Sequence, residues 1–295
     1  MGLSHRSCLV LGASSQLGEC LIPRLLGANY KVHAVSRKAD VKTPVQQSIQ
    51  WHTMDLQATN DWPVVVSLVI HLAPLYFLPT LLKQAASPLR VIAISSTSIR
   101  TKQNSPSIAE RLMAQRLLKA EEELHQLCLV AGHHLTIRRP TMLYGLERDA
   151  TIGRMQKFVR RWGVLPIPAM RTGLRQPVHV DDIAQAVVQV IEVKSTFNKV
   201  YELGGSDCLD VHTLAKRIFT DNQKSIRLLY IPTWIMSITL RVMRRLRPEL
   251  DWSPALLKRA ALDQVVNNQP AIDDFQYSPR PFSGLFNSSE LNKLN

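Results

Sequence analysis

Cys8-Leu9-Val10-Leu11-Gly12-Ala13-Ser14-Ser15-Gln16-Leu17-Gly18 is the stretch on which the reading of this chain turns. Four apolar residues run into a glycine, and a helical spacing (Leu17, Cys20, Leu21, Leu25, Leu26) follows at once. Gly12 permits a tight turn after the strand, and Gly18 lets the helix lie close to the sheet. The helix start offers free N–H groups and a partial positive charge, which suit a pyrophosphate. Ser15 stands where the middle glycine of such turns is usual; it fits and adds a hydroxyl. Gly12, Ser14, Ser15, Gln16, Leu17 and Gly18 are therefore expected to hold the phosphates of a dinucleotide.

Outward from this turn, apolar strands alternate with helices. Residues 7–11, 30–36, 50–54, 67–72, 89–95 and 135–138 read as strands; residues 16–26 and 107–131 read as helices. The runs at 67–72 and 89–95 are mostly apolar without alternation, as in parallel strands covered on both faces. The expectation is a Rossmann-type, doubly wound α/β fold: a nucleotide-binding domain over 1–145, then a smaller α+β substrate domain over 146–295, partly interwoven with the first. Within the second half, 181–193 reads as a helix capped by Asp181 and Asp182. Residues 200–203 read as a strand, 211–219 as a helix capped by Asp210, and 231–247 as an amphipathic helix.

Cofactor choice is read from the strand ends. Ser36-Arg37-Lys38 follows the second strand, where an acid would bind the ribose hydroxyls of NAD; Arg37 suits the 2′-phosphate of NADP, with NAD as the alternative. Asp55-Leu56 follows the third strand, where a carboxylate meets the adenine edge or simply braces its loop.

Several classes drop out. The formal net charge of +13 favours anionic partners, but no zinc-finger spacing or aromatic RNA-binding pattern accompanies it, so nucleic acid is not expected. Cys8, Cys20, Cys128 and Cys208 lie far apart without metal spacing, as free thiols in a reducing cytoplasm would. Neither His133-His134 nor Asp181-Asp182 makes a metal site; the histidines read as cations at a helix C-terminus. The first strand begins too early to leave room for a signal peptide. The apolar stretch 62–82 is interrupted by Pro63, Pro74 and Pro79 and reads as strand, loop and helix instead of a membrane span.

These motifs, in this order, resemble the extended short-chain dehydrogenase/reductases, specifically their nucleoside-diphosphate-sugar epimerase/dehydratase branch. Val69-Ile70-His71-Leu72-Ala73 resembles the fourth-strand motif beside the cofactor, adding Leu72, Ala73 and Pro74 to the cofactor set. Ile94-Ser95-Ser96-Thr97-Ser98 resembles the fifth-strand motif, with Thr97 in the catalytic position. Arg139-Pro140-Thr141-Met142-Leu143-Tyr144-Gly145 resembles the segment lining the nicotinamide, which implicates Pro140. Arg175-Gln176-Pro177-Val178-His179-Val180-Asp181-Asp182 resembles the substrate-domain signature, whose arginine, here Arg175, contacts the diphosphate of a nucleotide sugar. Phe275-Gln276-Tyr277-Ser278-Pro279 resembles the family's C-terminal end. The resemblance implies a small-molecule substrate, a nucleotide sugar or a related phosphorylated or lipid-linked sugar, and epimerase, dehydratase or reductase chemistry.

The chain departs from that pattern at its centre. The family's acid–base pair is Tyr with Lys four residues on, and no tyrosine here has that lysine. The best match on the helix is Gln115 with Lys119, and Gln has no proton to exchange. Three readings stand side by side. The protein binds NADP without redox chemistry, as a sensor or scaffold; or it uses another acid, Tyr76 or Tyr144, or relies on Lys119 and Thr97, with Tyr76 otherwise at the substrate; or the helix is misaligned. Residues 226–247, with Arg241, Arg244, Arg245 and Arg247 among apolar residues, read either as domain core or as a peripheral contact with the inner membrane surface.

Overall fold

The computed structural model describes residues 6–38, 48–58, 62–149, 151–246 and 255–283. In chain order, β1 (Arg6–Leu11), α1 (Gln16–Gly27), β2 (Tyr30–Ser36), β3 (Ile49–Thr53), β4 (Leu68–His71), α2 (Leu78–Leu82), β5 (Arg90–Ile94), α3 (Ser98–Thr101), α4 (Ile108–Ala131) and β6 (His134–Pro140) make up the first half. The second half holds β7 (Leu143–Tyr144), α5 (Ile152–Trp162), β8 (Leu165–Pro168), β9 (Val178–His179), α6 (Val180–Gln189), β10 (Lys199–Leu203), α7 (Val211–Asp221), β11 (Leu228–Ile231), α8 (Thr233–Leu246), α9 (Ala255–Ala260) and α10 (Gln269–Phe275).

Seven parallel strands form one sheet in the order β10-β6-β5-β4-β1-β2-β3. The order reverses direction between β1 and β4, which opens a crevice beyond their C-terminal ends. Alternation within the strands feeds two cores. Cys8, Val10, Val32, Ala34 and Ile92 face α1, α6 and α10. Leu9, Leu11, Val35, Val69 and Val91 face α2 and α4. The strands are apolar on both sides because both sides are covered. A third core gathers Ile152, Val159, Leu165, Leu214, Ile218 and Phe219 under α5 and α7.

The structure departs from the sequence expectations at several elements. Residues 199–203 do not stay in the second unit; they add the outer strand β10 beside β6, register Tyr201↔Arg138. Asp181 and Asp182 lie inside α6 and do not cap it. The cap is His179, whose Nδ1 accepts the Asp181 N–H at 3.2 Å. The two carboxylates are held by Arg24 and Arg280 at 2.6–2.8 Å. His133 is no helix-end cation. Gly132 ends α4 in the left-handed conformation, and buried His133 accepts the Leu89 N–H, with burial holding its pKa below the usual value. The segment expected as one helix from 231 begins as strand β11, paired with β8, and turns helical only at Thr233. Arg247, and the side chain of Arg244, lie outside the described residues. No described helix is long and apolar enough to cross a membrane.

Candidate functional site

The turn after β1 is built as its residues dictate. Gly12 sits at φ +80°, and a Cβ there would lie 2.8 Å from the Ala73 amide nitrogen. Gly18 packs so closely on the turn that a Cβ would fall 2.0 Å from the Ala13 carbonyl oxygen. The Gly12 and Ala13 N–H groups both donate to the Val35 carbonyl at 3.0 Å, tying the turn to β2. Ser15 caps α1, and its hydroxyl accepts the Gly18 N–H at 3.2 Å. The serine that replaces the middle glycine therefore spends its oxygen on the helix start. The amides of Gln16 and Leu17 have no intrahelical partner by position. The buried Gln16 Oε1 has no hydrogen-bond partner either.

Around this turn lies a cavity of ≈ 340 Å³ at the switch point. It brings together Gly12, Ser14, Ser15, Arg37, Asp55, Leu56, Leu72, Ala73 and Pro74, nine residues expected at the cofactor. Asp55 also braces its own loop by accepting the Gln57 N–H at 3.0 Å. Tyr76 lines this same cavity, beside Phe77 with which it stacks edge-to-face, so it stands with the cofactor set and not apart from it. Val35, Ser36, Met54, Gln57 and Phe77 complete the wall. No motif singled these out, although each adjoins a residue that was. Gln16, Leu17 and Gly18 form the helix floor outside the lining.

At the end of β5, buried Thr97 donates its hydroxyl and its N–H to the Pro140 carbonyl, both at 3.3 Å. Thr97 and Pro140 are thus brought together. Buried Ser95 nearby has an unpartnered hydroxyl.

The remaining expected residues fall elsewhere. Lys119 and Gln115 point to solvent, because the inward stripe of α4 is Glu110, Ala114, Leu117, Glu121, Leu124 and Cys128. The helical period puts 115 and 119 on the opposite face. Glu121 is anchored by Arg139, with Arg139 Nε to Oε1 at 3.0 Å, and Glu110 is anchored by Arg259 and Ser105. Sequence reading missed both buried carboxylates. Glutamates that share the period of the helix's apolar residues were the available signal. Tyr144 is buried, edge-on to His179 and Phe282, and its oxygen accepts the Ser283 N–H at 3.4 Å. Burial pushes its pKa up to about 12, far from that of a proton carrier near neutrality. Arg175 does not line the switch-point cavity. Its guanidinium donates to the carbonyls of Leu174, Leu262, Arg259 and Ala260 at 2.7–3.1 Å. It ties down the segment after α9 and offers no free donor fork for a diphosphate.

Comparison with known proteins bears on the fold. No protein-family model matches the chain. A mitochondrial NADH dehydrogenase [ubiquinone] 1 alpha subcomplex subunit 9 of Arabidopsis thaliana is 35% identical over 105 residues, 35% of this chain and 26% of that protein's length. Among solved structures, a UDP-glucose 4-epimerase of Thermotoga maritima, with UDP-glucose, superposes with TM-score 0.73 at 15% identity, covering 97% of this chain and 98% of the epimerase. A UDP-glucuronic acid 4-epimerase of Bacillus cereus, in complex with UDP-glucuronic acid and NAD, gives TM-score 0.71 at 17% identity, covering 98% of both chains. Over nearly its whole length, the chain has the fold of the extended short-chain dehydrogenase/reductases, the nucleotide-sugar epimerases among them.

Proposed function

We propose that the protein binds a nicotinamide dinucleotide at the switch-point crevice, NADP in preference to NAD, and works as a sensor or scaffold without the family's Tyr–Lys proton transfer. The observation that carries this is the inward face of α4. At the height where an acid–base pair would stand, it presents Ala114 and Leu117 between two carboxylates already engaged by arginines. The other proton carriers considered do not replace the pair: Lys119 is exposed, Tyr76 lines the dinucleotide cavity, and Tyr144 holds its proton to about pH 12.

The cofactor reading is supported by the cradle itself. Gly12 leaves room that a Cβ would close, Gln16 keeps a buried oxygen unpaired, and Arg37 stands on the cavity wall where a 2′-phosphate would lie. Gly12, Ser14 and Ser15 would hold the phosphates, and Asp55 and Leu56 the adenine. The bound group would supply hydride exchange only where a substrate and a proton carrier stand beside it. A reducing compartment suits the thiols of Cys8, Cys20 and Cys128, which burial pushes up to about 12; we place the protein in the cytoplasm. Calorimetry with NADP and NAD, together with a panel of UDP-sugars followed at 340 nm and by product exchange, tests the proposal. Nucleotide binding without turnover supports it; turnover of any panel sugar rejects the non-catalytic reading and restores a phosphorylated sugar as substrate.

A second reading rests on a different observation. On α8, Trp234, Ile235, Ile238, Val242 and Leu246 are exposed large apolar side chains, with Arg241 and Arg245 exposed beside them. At 100° per residue these apolar positions fall within an arc of roughly 120°, and the arginines lie along one edge of it. Such a helix lies in the surface of an anionic membrane, the inner membrane surface in this case, and a lipid-linked sugar is then a ligand within reach. Co-sedimentation with phosphatidylglycerol vesicles at low salt, lost at high salt, is the expected result; no pelleting at low salt sinks it.

A further inference from the structure

The β8–β11 pair carries a second cavity of ≈ 430 Å³ that shares no lining residue with the switch-point crevice. Its size is that of a small-molecule site. Ile167, Pro168, Met170 and Val211 give it apolar walls, and Tyr230 and His212 form a polar edge, Oη to Nδ1 at 2.9 Å. No lysine or arginine lines it. Arg175, the cation expected to hold a diphosphate, has its guanidinium on four backbone carbonyls. A pyrophosphate would therefore enter without a counter-charge, whereas a hydrocarbon chain meets matching walls.

In the chain, α8 follows directly on a strand of the cavity wall. Tyr230 belongs to β11, and α8 begins at Thr233 directly beyond that strand; Ala169 on the cavity wall donates its N–H to the Ile231 carbonyl at 2.8 Å. The exposed apolar arc of α8, edged by Arg241 and Arg245, thus opens with Trp234, a few residues along the chain from Tyr230 of the cavity. Apolar surface with flanking cations matches the boundary between the acyl chains and anionic headgroups of a bilayer.

We infer that this cavity receives the acyl chain of an anionic membrane lipid, with Tyr230 and His212 at the polar end of that chain. The inference rests on the membrane-surface reading of α8, and the experiment separates the two. The full chain is titrated with cis-parinaric acid, a fluorescent fatty acid, and separately pelleted with phosphatidylglycerol/phosphatidylcholine vesicles. Saturable parinarate fluorescence, displaced by oleate, is expected. Ala169→Trp at the rim and Thr172→Phe on the wall should each weaken it at least tenfold while leaving vesicle pelleting unchanged; Ala169→Trp should also keep the melting temperature, whereas Thr172→Phe forfeits the bond from the Val211 N–H and should melt slightly lower. Arg241→Glu/Arg245→Glu should lose pelleting and keep parinarate binding. A protein that pellets with vesicles but shows no saturable parinarate signal overturns the cavity inference and leaves the membrane reading standing. Parinarate binding untouched by both cavity variants, or displaced by uridine diphosphate, overturns it as well. Parinarate binding without pelleting overturns the bilayer as the source of the chain.

Discussion

Replacing Gly12 by alanine is the most direct trial of the cofactor cradle. The residue sits at φ +80°, where a Cβ costs about 1–2 kcal/mol in backbone strain alone. The added carbon would lie 2.8 Å from the Ala73 nitrogen, and 3.1 Å from both the Ala73 Cα and the Leu72 carbonyl carbon. These are backbone atoms at the end of β4, so no side chain can swing aside, and overpacking adds about 1–3 kcal/mol. The sum is about 2–5 kcal/mol. For a chain of this size, at about 2–3 °C per kcal/mol, the melting temperature falls by roughly 5–15 °C. Relief comes only by separating the ends of β1 and β4, and both ends line the switch-point cavity. NADP affinity should therefore fall at least about tenfold, or 1.4 kcal/mol. Gly27→Ala is the matched control: its Cβ meets nothing within 4 Å and its φ is not positive, so melting holds or rises slightly and binding is unchanged. Circular-dichroism melts and calorimetry with NADP and NAD read both variants. Gly12→Ala melting and binding like the parent would refute the reasoning at its root, since neither the turn nor its contact with Ala73 would then matter.

Other perturbations test separate parts of the account. Arg37→Ser should weaken NADP about tenfold at physiological salt, the low end for a charge-assisted hydrogen bond because Arg37 is exposed, and leave NAD unchanged in the same titration; equal affinities before and after would make Arg37 a solvated strand-end charge. Glu121→Ala strips the partner from half-exposed Arg139 and should cost about 2–4 kcal/mol in urea unfolding, with Glu121→Ala/Arg139→Ala recovering part of it; a strictly additive double variant would show the pair uncoupled. Tyr144→Phe should leave nucleotide affinity unchanged and cost under about 1 kcal/mol, since it forfeits one long hydrogen bond. Burial of His71 lowers its pKa from 6.5 to about 4. Between those values the unfolded chain binds the extra proton, so this contribution is complete above pH 6.5 and is lost as pH falls towards 4, about 3 kcal/mol in all. His71→Gln should flatten that part of the stability profile, and an unchanged acid limb would assign it to other groups.

What the sequence made legible was whatever depends on local pattern. The strand-turn-helix at Gly12 and the cap Asp210 are set by neighbours a few residues away, and Asp210 caps as its spacing implies. The parallel strands are legible because burial on both faces leaves continuous apolar runs. What failed to show needed contacts across the chain. Whether Asp181 caps a helix or pairs with Arg24 is decided by a partner 157 residues away. Which face of α4 looks inward is decided by the sheet. The spacing Gln115–Lys119 satisfies a search for residues four apart as well as any inward pair, yet Glu121 meeting Arg139 fixes the rotation and turns Lys119 to solvent. The same applies to Arg175. Its motif position is that of a diphosphate-binding arginine, but the fate of its two terminal nitrogens depends on the segment from Arg259 to Leu262, whose carbonyls accept three of their hydrogen bonds. The lining of the switch-point cavity was therefore readable, because it belongs to one turn and three strand ends. The surroundings of Lys119 and Arg175 were not, because they depend on how a helix is rotated and on what a distant segment does with its carbonyls. That division has a functional consequence. On the proposed reading, the chain keeps the local grammar of dinucleotide binding while long-range contacts engage Glu110, Glu121 and Arg175, and the cofactor would then be a ligand to be sensed.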